Sequence, residues 1–358
     1  MLASSLTLGA SAAPFLAAGD GAEIFLTAMV GVQADDNIYL SNTATDDTIL
    51  NFNPGVEFKF GENSQTKGTV KAVVNISSYA DNDQLNTELV NLSFNSMYDD
   101  GKTKFTTAVS FAEMNQNTFD IRGLTRRDAT NLKLGGETSI TEKSSIGTDI
   151  AYSSTDYKRA SYSDLKTTTV PVTYYYKVTP KVDLTAGFRY RDTDNQLTPD
   201  SKDYAYRLGF RGEFTPKVTG SLAAGFGTRE FDRGGDETIF DLDGSLNFLL
   251  TEKTTLQVTA SNDFGNSGTG AEQKTFSLGG NLSIKATDQW TFRAGTTMRK
   301  LDYYTREDDY MEFNLGADFV VNEYVSIQGA YAFRKYDSQV AGADFKNNVF
   351  SIAANLRY

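Results

Sequence analysis

Residues Asp183–Phe214 read DLTAGFRYRDTDNQLTPDSKDYAYRLGFRGEF. Leu184, Ala186, Phe188 and Tyr190 alternate with Thr185, Gly187, Arg189 and Arg191. A polar interval follows, from Asp192 to Asp203. Then Tyr204, Tyr206, Leu208 and Phe210 alternate with Ala205, Arg207, Gly209 and Arg211. Alternation with period two means an extended strand with one apolar and one polar face. The unit is a hairpin of two strands, each of roughly 11 to 13 residues by this pattern.

Outward from this hairpin, one turn signal recurs. Thr179-Pro-Lys-Val182 and Thr215-Pro-Lys-Val218 flank it, and Thr141-Glu-Lys-Ser144 and Thr251-Glu-Lys-Thr254 lie one unit further out. Weaker copies are Ala286-Thr-Asp-Gln289 and Val321-Asn-Glu-Tyr324, and Asp99-Asp-Gly-Lys102 and Glu62-Asn-Ser-Gln65 extend the rhythm upstream. From Thr141 onward the signals start 35 to 38 residues apart. Such a period also suits a solenoid or propeller, but each unit here holds two long strands, one short turn and one longer polar connection. Phe240, Leu242, Leu246 and Phe248 oppose Asp241, Asp243, Ser245 and Asn247 in the same way, as Phe276, Leu278, Leu282 and Ile284 oppose Ser277, Asn281, Ser283 and Lys285. Runs of this type from Glu23 to Tyr358 amount to about 18 antiparallel strands, and no helix-period segment interrupts them.

Soluble sandwiches use strands of about 5–6 residues, whereas a tilted membrane-spanning strand needs about 9–11. Long strands, an even count and short turns alternating with longer loops predict an all-β fold: a closed antiparallel transmembrane barrel with short periplasmic turns and both termini periplasmic. Closure is required, because an open edge in hydrocarbon leaves backbone groups unpaired. Composition agrees. Only 39% of residues are hydrophobic, too few for several packed cores, while 24 Phe and 19 Tyr supply side chains suited to a water–lipid boundary.

The chain contains no Cys and no His. That removes disulfides, thiolate chemistry, Ser–His and Asp–His catalysis and the commonest metal ligand, so neither an enzyme, a cofactor nor a metal is expected. Carboxylate-pair catalysis survives the exclusion, but nothing marks one pair among the many acids. A net charge of −12 does not suit nucleic acid as a partner.

Residues 1–19 are small and apolar and read as a signal-peptide-like segment lacking its basic start, as a truncated leader would; residues 20–358 read as a single barrel. Few residues precede the first strand, so no plug domain of a gated transporter is expected. At the other end, Phe350, Ile352, Ala354, Leu356 and the terminal Tyr358 share one face. This strand resembles the C-terminal signal read by the barrel assembly machinery.

Lipid must take the apolar face, so the polar face lines the lumen. Arg189, Arg191, Arg207 and Arg211 then form a basic ladder on two adjacent strands, and Asp241, Asp243, Glu312 and Asp318 are among the lumen acids. The ladder reads either as scaffolding paired to lumen carboxylates or as a contact for anionic or hydroxyl-rich solutes. The interval Asn115–Asp128, with Asp120, Arg122, Arg126, Arg127 and Asp128, reads as the third outer loop. It is either a solvated surface loop or, by analogy of position with porins, a constriction folded into the barrel. Tyr79 and Tyr175 are isolated lumen aromatics, and no extended row of sugar-stacking rings is expected.

The N-terminal part carries Gly31-Val-Gln-Ala-Asp-Asp-Asn-Ile-Tyr-Leu40 and then Asp47-Thr-Ile-Leu-Asn-Phe-Asn-Pro-Gly-Val-Glu-Phe-Lys-Phe60. On Asp35, Asp36, Asn37, Pro54 and Gly55 this resembles an outer-membrane β-barrel porin family associated with exopolysaccharide loci. The resemblance implies an outer-membrane conduit, in some systems serving polysaccharide export. Physically, Asp and Asn favour turns, and a Pro inside a strand suggests a local bulge. The expected function is a porin-like channel for hydrophilic solutes, with polysaccharide among them. The alternative is a structural barrel docking a surface filament or an export-complex protein. Outer-membrane lipid, lipopolysaccharide and the assembly machinery are the expected surroundings.

Overall fold

The structure is a computed structural model and describes residues 13–18, 21–118, 121–232 and 234–358. A short strand β1 (Leu16–Ala18) precedes eighteen long ones. These are β2 (Ala22–Asp35), β3 (Asp47–Phe60), β4 (Thr66–Tyr79), β5 (Thr87–Asp99), β6 (Thr103–Thr118), β7 (Ile121–Thr141), β8 (Ser144–Tyr157), β9 (Leu165–Thr179) and β10 (Val182–Asn195). They continue with β11 (Ser201–Thr215), β12 (Val218–Phe231), β13 (Asp236–Thr251), β14 (Thr254–Asn266), β15 (Glu272–Lys285), β16 (Trp290–Tyr303), β17 (Arg306–Val320), β18 (Val325–Ser338) and β19 (Phe345–Arg357). Each pairs antiparallel with its sequence neighbour, and β19 pairs with β2, so the eighteen close into a barrel. The strands run beyond the expected length, to 21 residues in β7, because the ladders continue past the apolar band.

The recurring turn signal has a common geometry. In the turns after Thr141, Thr179, Thr215 and Thr251, the threonine Oγ1 accepts the backbone N–H of the lysine two residues on, at 3.2, 3.2, 3.3 and 3.3 Å. Thr287 does the same for Gln289, and the Asn322 carboxamide for Tyr324. A short polar side chain thus replaces a ladder partner where the chain reverses. At Asp100 in the turn after β5, the N–H groups of Thr103 and Lys102 hold the carboxyl below its usual range. A register shift beside each of the four Thr-x-Lys turns leaves Ile140, Val178, Phe214 and Leu250 exposed. Aromatics gather at this end, where Trp290 packs on Phe292 and Phe319, and Tyr324 on Tyr358. Amphipathic rings belong at such a membrane interface.

Outward-facing Leu208 and Phe226 are 68% and 65% exposed, and Phe350, Ile352, Leu356 and Tyr358 are exposed on β19, as a lipid-facing surface requires. Pro54 does not produce the expected bulge. The β3–β4 register is the same at Phe52↔Ile76 and Gly55↔Val73, so the missing N–H leaves a local gap in the ladder rather than an extra residue. Gly55 stands where a Cβ would lie 2.8 Å from both the Ala72 carbonyl and Thr27 Oγ1, so close strand approach explains that glycine.

The Asp-Asp-Asn motif sews the seam between the first and last long strands. Asn347 on β19 donates to Asp35 Oδ1 at 2.6 Å, and Asn348 donates through its backbone and side chain to Asp36, both at 2.6 Å. The buried Asn37 donates back across the seam to the Lys346 carbonyl at 3.0 Å. At the turn end of the same seam, Leu26 and Tyr358 exchange backbone hydrogen bonds at 2.6 and 2.9 Å. β2 reaches past the end of β19 there, and β1 pairs with the overhang at Leu16↔Ile24 to Ala18↔Ala22. Of the signal-peptide-like segment, residues 1–12 and 19 lie outside the described residues.

Two outcomes are expected. Asn347→Leu removes one donor each from Asp35 and Asp36 across the seam, at about 0.5–1.5 kcal/mol per hydrogen bond; heat-modifiable mobility should be lost at a lower temperature than in the native barrel, and an unchanged transition would remove the seam from the account of stability. In intact cells, a cysteine at Leu197 should react with a membrane-impermeant maleimide and one at Lys181 should not; the reverse pattern would invert the topology.

Candidate solute pathway

Phe188, Tyr206, Leu208 and Phe210 are exposed on the outer face of β10 and β11, which turns Arg189, Arg191, Arg207 and Arg211 into the lumen. None of the four is left as a free cation. Arg189 grips Asp263 on β14 with two hydrogen bonds of 2.7 and 2.8 Å and reaches Asp241 on β13 at 3.1 Å. Arg191 binds the same Asp263 at 3.0 and 3.1 Å and Asp203 at 2.5 Å. Arg207 donates to Asp241. Arg229 on β12 is fully buried and closes on Asp203 through 2.6 and 2.9 Å contacts. Three aspartates therefore hold four arginines along the β10–β14 wall. Arg211 sits apart, nearer the turns. It is bidentate to Glu137 on β7 at 2.5 and 2.7 Å, bound to Asp183 at 2.9 Å, and lies 3.3 Å over the Tyr175 ring. Glu137 and Arg211 belong to strands four apart, so their bond is a chord across the wall's curvature.

The other lumen acids differ in pairing. Asp318 accepts from Arg293 at 2.6 Å. Glu312 accepts from the Tyr310 hydroxyl at 2.5 Å, with Arg334 at 3.9 Å. Asp243 shares the face of Asp241, but is exposed and in no ion pair among the described residues.

The stretch Asn115–Asp128 is not a loop. β6 and β7 stay paired as far as Thr118↔Ile121, forming a hairpin that rises past its neighbours. Its tip leans over the mouth. The Gly123 N–H donates to the Tyr39 carbonyl, in the 36–46 connection, at 3.1 Å. Buried Ile121 meets Gly268, in the 267–271 connection eight strands round the barrel, where a Cβ would lie 2.6 Å from Ile121 Cγ1. Arg127 is buried over the Tyr157 ring at 5.8 Å and donates to the Gln116 carbonyl at 3.4 Å. Arg126 is exposed. Asp128 accepts from Lys158 at 2.5 Å and holds that ammonium above its usual range. Asp120 and the Arg122 side chain lie outside the described residues.

Other connections lock onto this lid. Gly268 accepts from the Ser163 N–H at 3.0 Å, and Gly270 accepts from Asn195 at 3.1 Å and Thr198 at 2.9 Å. On the opposite flank, Leu40 (φ 47°) packs with Leu301, Tyr303, Tyr310, Tyr336, Ala343 and Phe345, most of them on the inner face of β16–β19. Inward aromatics therefore exist where none in a row was expected. They are buried in a cluster, not presented as an open stacking track. Tyr303, Tyr310 and Tyr336 occupy the same phase as the lumen residues Arg299, Glu312 and Arg334, so alternation turns them inward but does not show that they gather into one cluster.

The turn end is different. A cavity of about 640 Å³ is lined by Lys59, Lys67, Lys133, Glu23, Thr69 and Asn95, among others. It lies along β2–β7, where the inward lysines are exposed rather than packed. Packed connections meet across the outer end, and the turn end holds this cavity.

The sequence matches the family described as Putative beta-barrel porin 2 over residues 24–358. The chain belongs to this family. No curated protein matches the sequence. Among solved structures, OpdO of Pseudomonas aeruginosa is similar at TM-score 0.50 and 11% identity, covering 94% of this chain and 97% of that one. OpdL of the same organism matches at TM-score 0.49 and 13% identity, over 94% of this chain and 99% of that one. OpdK with vanillate matches at TM-score 0.48 and 9% identity, with the same coverage of 94% and 99%. At such identities the likeness is one of fold. The porin-family barrel is a protein of the bacterial outer membrane, and its family and fold are those of porins, which are not enzymes.

Sequence reasoning singled out the porin-family barrel's four ladder arginines but missed Asp203 and Asp308. Asp308 is buried, accepting from Arg306 at 2.8 Å, Tyr336 at 2.7 Å and Ser338 at 2.7 Å. The parity of each strand was the only signal available for either. Removing one partner from a buried ion pair costs about 3–5 kcal/mol. Asp241→Ala, which strands Arg207 and leaves Arg189 with Asp263 alone, should lower the unfolding midpoint more than Asp243→Ala, whose side chain is in no ion pair among the described residues. Denaturant titrations of the two variants check the ranking, and equal losses would contradict it.

Proposed function

We propose that this porin-family barrel is a channel for small hydrophilic solutes whose outer entrance is held shut by interlocked connections. The observation that carries the reading is the contrast between the two ends: a mouth crossed by the β6–β7 tip, and an open, charged cavity at the turns. A barrel serving only as a membrane anchor has no need of a hydrated, ionisable interior. The docking alternative is less well supported, since no outer connection is longer than 36–46 and none projects a separate platform. A polysaccharide conduit is also less well supported. The Tyr175 ring is covered by Arg211, and the Tyr303, Tyr310 and Tyr336 rings are packed, so a sugar chain would meet few free stacking faces.

On this reading, solute passage requires the tip to lift. Ile121 and Gly268 are close enough for a disulfide once both are replaced by cysteine, and the native chain has none to compete. The Ile121→Cys/Gly268→Cys barrel should conduct poorly in planar bilayers when oxidised. On reduction its conductance should rise to at least the native level. Conductance unaffected by the bridge would mean that the tip does not gate the path.

A further inference from the structure

We propose that the cavity at the turn end is a binding site for small anionic solutes bearing carboxylate or phosphate groups. Lys59, Lys67, Lys71, Lys104 and Lys133 all point inward from the adjacent strands β3, β4, β6 and β7. The registers Lys59↔Thr69, Thr69↔Asn95, Asn95↔Ala108 and Ala108↔Lys133 place them on one continuous inner surface. This deepens the channel reading and rests on it.

The acids facing the same space are Glu23, Glu57, Glu62, Asp99, Glu137 and Asp149. Two of them are heavily engaged. Glu57 is held by Lys71 at 2.8 Å, Arg357 at 2.9 Å and Lys59 at 3.4 Å. Glu137 is taken by Arg211. Lys133 has only the long 3.4 Å contact to Asp149. Lys67 and Lys104 have no ion pair among the described residues and are exposed. With Arg211, Arg357 and the Asp183 that Arg211 also binds counted, seven cations face seven carboxylates here, so what a solute is offered is not a net excess but the free ammonium groups of Lys67 and Lys104.

Those free ammonium groups differ in kind from the paired arginines along the β10–β14 wall. There the arginines are saturated by aspartates and largely buried, so they offer a solute few free donors. Ammonium groups on long flexible stems can close on an anion of variable shape, and a low-dielectric wall focuses their field into the cavity. Thr69, Asn95 and Thr106 line the same space and add neutral hydrogen-bonding groups.

Two measurements on the detergent-solubilised full-length barrel test this, with inorganic pyrophosphate as the probe. In calorimetric titration the native barrel should bind pyrophosphate, and Lys67→Gln/Lys104→Gln should weaken binding at least tenfold. That variant spares every ion pair named above, so its fold is not at issue, and heat-modifiability confirms it. Lys217→Gln, in a turn outside the cavity, should bind as the native barrel does. In bilayers, pyrophosphate added at the turn side should reduce the current of the native channel, and the double variant should lose this block. Unchanged binding in the double variant, or no binding by the native barrel, overturns the anion site. Binding that depends on Lys67 and Lys104 without conductance under any condition upholds the site and overturns the channel reading instead.

Discussion

A backbone in hydrocarbon has no water to bond with, and the rest of this structure follows from that. Every N–H and C=O of the spanning segments must find a partner inside the protein, so eighteen strands must close on themselves. Closure places one demand on the chain that no hairpin can meet locally: β2 must find β19, at the opposite end of the sequence. The Asp35-Asp36-Asn37 motif, Asn347 and Asn348 hold that junction at the outer end. At the turn end β1 covers the residues of β2 that extend beyond β19. Three of the residues that carry the family resemblance, Asp35, Asp36 and Asn37, are thus residues of the seam.

Closure also divides the side chains. Apolar residues go to lipid, and Arg on the lipid face at mid-bilayer would cost roughly 2–4 kcal/mol. The charges turned inward then face one another across a confined space. Along β10–β14 they neutralise pairwise, and Asp241, Asp203 and Arg229 are buried as completely as core residues. Along β3–β7 Lys59, Lys67, Lys104 and Lys133 remain exposed. One barrel therefore contains a rigid ionic wall and a looser, wet one, and the proposed solute path follows the wet one.

The lid is made by the same means as the wall. β6 and β7 simply continue pairing beyond their neighbours until the tip overhangs the lumen. It meets the 36–46 connection, the longest of the outer ones, and the short 267–271 connection. Backbone contacts such as Gly123 to Tyr39 and Ser163 to Gly268 then link strands that are far apart around the barrel.

The sequence by itself determined the class of fold, the approximate number of strands, the face each side chain takes and the position of the turns. All of these depend on period-two alternation or on short-range hydrogen bonds such as Thr179 to Lys181, which neighbouring residues dictate. The sequence also placed Arg189, Arg191, Arg207 and Arg211 in the lumen by the same alternation. It left open whether those arginines were scaffolding or solute contacts. It did not reveal that Asp263 would serve two of them, that the rings of β16–β19 would bury Leu40, or that Asn115–Asp128 would form a paired hairpin over the mouth. Only the tertiary structure decided these. The Asp263 contacts and those of the β6–β7 hairpin over the mouth join strands four or more apart around the barrel, and the Leu40 cluster gathers across the β2–β19 seam, so each exists only once the sheet has curved and closed and no local pattern encodes it.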